Sequence, residues 1–183
     1  MYQVSQISQR RRRRSRGAEV MEFTLVFLPM LAFVTVIADT AWAIWAKATL
    51  QRAVRLGVRV GVTLTAAQMA NGACLTHTVK GTVQAYSFGL LNGTSGLSKI
   101  KVNHLQPPPT GSTAAATDVS TQASGDQGGN IMQVSVQNYS LVPLMPRITS
   151  WKTASDNNPL VFSVNSADLI EPSNNPPCIG TAP

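Results

Sequence analysis

Apolar and polar positions follow different rhythms along this chain, and the first long stretch has no rhythm at all. From Phe23 to Ala46, 19 of 24 residues are apolar, five of the chain's eleven aromatics fall there, and Asp39 is the one ionisable side chain. At about 1.5 Å per residue such a helix spans roughly 36 Å, enough to cross a hydrocarbon core of about 30 Å. The run therefore predicts a membrane helix. Pro29 lies inside it, and a membrane helix tolerates a proline with at most a kink. Trp42 and Trp45 sit at the far end, where indoles favour the boundary between lipid and water.

A helical period takes over beyond the membrane run. Leu50, Val54, Gly57, Val58 and Gly61 share one face and Arg52, Arg55 and Arg59 another, so the helix should continue to about Thr65. The arginine face can rest against lipid headgroups, and the small-residue face can dock on other helices. Val79, Val83, Tyr86 and Leu90 predict a second helix over His77 to Leu91, weakened by Gly81 and Gly89, before Asn92-Gly93 breaks the chain. The period then shortens to two: Lys99 to His104, Ile131 to Tyr139 and Leu160 to Val164 all read as half-buried strands. Residues 107–130 hold three prolines and four glycines with little to bury, and predict a flexible loop. Leu141 to Pro146 reads as a linker. The expected fold is α+β: a long N-terminal membrane helix, then a small domain with a second helix and a two- or three-stranded antiparallel sheet.

Charge sharpens this picture. The net charge of +7 suggests a nucleic-acid partner, but six of the fifteen cations, Arg10 to Arg14 and Arg16, precede Gly17. Nine cations against eight acids remain, so the body is nearly neutral. The arginine cluster is not interleaved with aromatics, which argues against nucleic acid. A dense basic leader before an apolar helix instead places the amino terminus in the cytoplasm, although Arg52, Arg55, Arg59 and Lys47 partly offset the bias. A secretory signal peptide would share the basic start, but its apolar region is shorter, typically about 7 to 15 residues.

Neither a signal peptide nor a plain anchor accounts for Glu22 at the edge of the apolar run. The stretch Gly17-Ala18-Glu19-Val20-Met21-Glu22-Phe23, set between the arginines and the membrane helix, resembles the cleavage motif of type IV prepilins, particularly the Flp and TadE-like branch of the tight-adherence system. Leu50-Gln51-Arg52-Ala53-Val54-Arg55-Leu56-Gly57-Val58-Arg59 resembles the stretch where TadE-like proteins leave the membrane. The resemblance implies that a prepilin peptidase cuts between Gly17 and Ala18. It also implies that Glu22 and Phe23 serve assembly, with Glu22 pairing to the new amino terminus of a neighbouring subunit. Physical chemistry supports the pairing: a new amine with a pKa of about 7.7 to 8.0 is largely cationic at neutral pH, and unpaired charges in a medium of low dielectric are costly.

The two cysteines, Cys74 and Cys178, lie beyond the helix, where an oxidising compartment favours a disulfide. Such a bond closes a loop of about 100 residues, worth on the order of 4.7 kcal/mol in the chain-entropy account. His77 and His104 have no metal-ligand spacing and are expected at the surface, so no metal or other cofactor is implied. No nucleophile elbow, phosphate-binding glycine loop or zinc-protease motif is present, and no enzyme is expected. The chain divides into a leader (1–17), a long helix (18–65, membrane part 23–46) and a periplasmic or extracellular domain (66–183). The reading is a TadE-like minor pilin or pseudopilin, single-pass in the bacterial inner membrane or extracellular in a pilus. Its partners would be prepilin peptidase, other pilins, the inner-membrane assembly platform and lipid, with no nucleic acid. A pseudopilin of a secretion apparatus and a simple membrane-anchored periplasmic module are the alternatives.

Overall fold

Apolar helices need only length and composition to form in lipid, and the first element satisfies both. A computed structural model describes residues 3–64, 74–122, 125–141 and 160–171, with backbone alone for 3–16. Helix α1 runs unbroken over Gln3–Thr63 with Pro29 inside it. It is thus continuous with the expected leader, and ends two residues before the expected Thr65. Its threonines silence their own hydroxyls: Thr24 Oγ1 donates to the Val20 carbonyl at 2.7 Å and Thr40 Oγ1 to that of Val36 at 2.7 Å. Such back-bonding removes the cost of a bare hydroxyl in an apolar medium. The described residues fall into two units, one ending at Trp42 and the other beginning at Ala43.

The first unit consists, among the described residues, of the apolar part of α1. Its large side chains stand open on every side: Met21 and Leu25 are 75% exposed, Phe23 66% and Phe33 68%. Phe23 and Phe27, one turn apart, stack with ring centroids 5.3 Å apart.

In the second unit the remainder of α1 becomes a core helix. Leu50, Ala53, Val54, Val58 and Val62 are buried at the spacing of one helical face, while Arg52, Arg55 and Arg59 between them are exposed. This face packs on helix α2 (Leu75–Tyr86) through Val79 and Val83 and on strand β3 (Ile131–Leu141) through Met132. A β-carbon at Gly57 would strike Val83 Cγ2, and one at Gly61 would strike Met132 Sδ. Bare glycine is what lets the elements approach. The stripe that could have docked on other helices is therefore occupied inside the chain's own domain.

Helix α2 stops at Tyr86, short of the expected Leu91, for a local reason. Ser87 Oγ donates to the Gln84 carbonyl at 2.7 Å and accepts from the Leu91 amide at 3.2 Å, while Phe88 and Gly89 adopt φ of 51° and 84°. That left-handed turn ends the helix. A further helix, α3 (Gly93–Lys99), follows Asn92-Gly93 where only a break was expected. Gly96 lies against the Leu91 backbone too closely for any side chain. Gln84 Nε2 ties the region together by donating to the carbonyls of Leu91 at 2.8 Å and Gly93 at 3.1 Å.

Four strands form the antiparallel sheet in the order β2-β1-β3-β4, with β1 at Ile100–Gln106, β2 at Thr117–Asp118 and β4 at Leu160–Leu169. The class is α+β as expected, with one strand more. The additional strand, β2, corrects the expected loop at 107–130: its residues pair with Leu105 and Gln106, and the Val119 amide donates to the His104 carbonyl at 2.8 Å. Ile170 and Asn130 likewise close on each other, amide to carbonyl at 2.8 Å, and Val119, Asp126 and Asn130 are buried. Short polar side chains hold this segment: Asp118 Oδ1 accepts from the Ser120 amide in an Asx-turn, Ser120 Oγ accepts from the His104 amide, and Asn130 Nδ2 donates to the Gly125 carbonyl. The core gathers Ile100 from β1, Met132, Val134 and Val136 from β3, Val164 from β4 and the inner faces of α1 and α2. The expected linker at 141–146 lies outside the described residues beyond Leu141.

Candidate functional site

Gly17, Ala18, Glu22 and Phe23 fall within two turns at the start of the apolar part of α1, and all four are exposed. Ala18 and Glu22 are four residues apart, so they share a helix face, separated by about 6 Å of axial rise. A β-carbon added at Gly17 would meet nothing within 4 Å, so this glycine is not demanded by packing. Its distinctive property is instead a low helix propensity, about 1 kcal/mol below alanine. Glu19 is exposed beside them, and Asp39 is half-buried.

Arg52, Arg55 and Arg59 form a single exposed basic face in the second unit, opposite the buried stripe. This face belongs to the second unit, and Gly17, Ala18, Glu22 and Phe23 belong to the first. Cys74 is the N-cap residue of α2, and its carbonyl accepts from the Thr78 amide at 3.0 Å and the Thr78 hydroxyl at 3.2 Å. Cys178 lies outside the described residues.

His104 is the main surprise. It was expected at the surface, as was His77, and His77 is indeed exposed. His104 is 1% exposed, and neither Nδ1 nor Nε2 has a hydrogen-bond partner among the described residues. Parity explains the placement: on β1, His104 shares the face of Ile100 and Val102. Burial pushes its pKa below the ordinary value, while the nearby carboxylates of Asp126 and Asp118 pull it back up. Asp118 is itself held below the usual carboxylate range, because it accepts bonds from both the hydroxyl and the amide of Ser120. The Ser120 hydroxyl also accepts from the His104 amide at 2.7 Å. Lys80 on α2 is a second buried ionisable group, and burial together with neighbouring Lys101 lowers its pKa. Among the described residues, no group of three or more histidine, cysteine or acidic side chains is placed to hold a metal ion.

One helix among the described residues, Gly17–Thr63, is long and apolar enough to cross a membrane. No curated protein and no solved structure matches the chain. The family model of TadE-like proteins matches residues 17–59, and this stretch, which holds the glycine, the glutamate, the apolar run and the basic face in one block, is similar to TadE-like proteins.

Proposed function

We propose that this chain is a minor pilin or pseudopilin, processed by a prepilin peptidase between Gly17 and Ala18 and assembled through its N-terminal helix into a Tad-type pilus or its initiating complex. The observation that carries the reading is the placement of Gly17 and Glu22 at the start of the apolar part of a helix whose apolar surface is uncovered and whose residues 17–59 match the TadE-like model. Cleavage needs an accessible, locally opened backbone. Gly17 supplies an exposed position of low helix propensity, in helix that continues on both sides.

In this proposal the leader arginines hold the amino terminus in the cytoplasm, and the domain beyond Trp45 faces the periplasm of a single-pass inner-membrane protein. Removal of the leader leaves a cationic amine at Ala18. In a neighbouring subunit this amine meets Glu22, and the pair sets the axial register of the helices while Phe23 packs beside it. The basic face at Arg52, Arg55 and Arg59 rests against anionic headgroups. A Cys74–Cys178 disulfide anchors the carboxy-terminal region to the start of α2, supported by the absence of a free thiol at Cys74.

The amino-terminal sequence of the mature protein, taken from membranes or sheared filaments, tests the reading. A start at Ala18 is expected. An intact Met1, or a start near Lys47, overturns it.

A further inference from the structure

On the face of the sheet opposite the hydrophobic core, three strands present a patch of uncharged polar side chains that no element of the proposed assembly uses. Alternation along β3 puts Met132, Val134 and Val136 on the core face and Gln133, Ser135 and Gln137 on the other, where Ser135 is 8% exposed and accepts from Gln137 Nε2 at 3.4 Å. Register then lines up neighbours across the strands: Asn103 pairs with Gln133, and Asn165 with Ser135. Together with Asn138 and Ser163 they line a groove of about 330 Å³, whose sole apolar contributor is Val164.

Two features set this groove apart from an ordinary solvated sheet face. The ladder between β3 and β4 is interrupted between Val136 and Tyr139, and Asn138 within the interruption takes a φ of 53°. Bulges that re-aim a side chain are concentrated beside binding sites. The side-chain amides of Asn103, Gln133 and Asn165 also make no hydrogen bond to any described residue, so their donors and acceptors are open together along one groove.

We propose that the groove binds a neutral oligosaccharide. Each amide offers two donors and an acceptor oxygen without charge, and saccharide hydroxyls both donate and accept at the same density. An apolar ligand would bury these amides unpaired. A charged ligand meets no counter-charge in the lining, since Lys101, paired with Ser135 on the same face, stands outside it. Peptides are recognised by pairing to a strand edge or by apolar side-chain pockets, and a polar groove across a sheet face provides neither.

Saturation-transfer NMR on the full-length chain in lauryldimethylamine oxide micelles tests the proposal, with maltotriose and triacetylchitotriose as probes. Transfer to at least one sugar is expected, weakened at least about tenfold by Gln133→Ala combined with Asn165→Ala. Asn165 is exposed, so Asn165→Ala alone leaves the fold intact and should weaken binding about threefold or more. Lys101→Ala should change nothing. No transfer to either sugar, undiminished binding in the Asn165→Ala variant, loss of binding on Lys101→Ala, or equal binding of a tetraalanine peptide overturns it.

Discussion

The two stretches of α1 on either side of Trp42 are parts of the same helix under opposite rules. Before it, apolar residues occupy every face and Val34, Val36 and Ile37 are all more than half exposed; after it, Leu50, Ala53 and Val54 are fully buried and arginines fill the opposite face. Lipid is an isotropic apolar solvent, so the first stretch requires composition but no particular neighbour. Protein packing is directional. The second stretch therefore requires a phase, and at Gly57 and Gly61 it requires the absence of a side chain.

Truncating a leucine in each stretch should separate the two rules most widely. Leu50→Ala empties a fully buried position and should destabilise the second unit by about 2 to 5 kcal/mol, read as a fall in its thermal midpoint in micelles. Leu31→Ala, at a site 47% exposed, should leave that midpoint unchanged. Overfilling gives a smaller contrast. Gly61→Leu forces a side chain onto Met132 and Val79 and should cost about 1 to 3 kcal/mol or more, whereas Ala38→Leu, in the apolar stretch, should be neutral by the same measurement.

The buried histidine predicts a pH dependence confined to the second unit. His104 titrates lower when folded than its ordinary value of 6.5, so the unfolded chain binds more protons between those two values. Its neutral state supports folding fully above the unfolded value, and that support is lost as pH falls below about 6.5, by at most about 1.4 kcal/mol per pH unit. Asp126 and Asp118 reduce the slope by favouring the charged ring. Thermal midpoints at pH 7.5 and 5.5, compared between the native chain and His104→Leu, should lose this difference in the variant. A difference that persists assigns the slope to other groups. The smallest effect on folding belongs to Glu22→Ala, which touches an exposed side chain and should leave the thermal midpoint unaltered. Processing should survive in that variant while co-assembly with other pilins, measured by copurification from sheared filaments, falls. Normal incorporation removes the charge-pairing argument.

Much of the architecture was legible because it rests on composition and period. The apolar run, the phase of Leu50, Val54, Gly57 and Val58, and the starts of β3 and β4 all follow from them. The residues of the candidate processing site were visible for a different reason: an acid beside a membrane run is costly enough to stand out. What escaped was structure held by distant partners. Strand β2 is two residues long and exists through its pairing with Leu105 and Gln106. Strand β4 continues beyond Val164 through Asn165, Ser166, Ala167 and Asp168, where pairing with β3 rather than hydrophobicity holds the chain. Helix α3, Gly-Thr-Ser-Gly-Leu-Ser-Lys, has almost no helix propensity and is fixed by contact with Leu91. His104 could have been found from the parity of β1, but its polarity argued for the surface.

The buried stripe on α1 also determines where the molecule can be cut. A division drawn at the end of the long helix looks natural from the sequence, with the globular part starting at residue 66. Yet Leu50, Ala53, Val54, Val58 and Val62 are core residues of that globular part, standing against α2 and β3. A water-soluble fragment begun at residue 66 would expose Val79, Val83 and Met132 and should be recovered as aggregate. One begun between Trp45 and Leu50 would keep its hydrophobic lid, and with it the solubility that a membrane-free preparation demands.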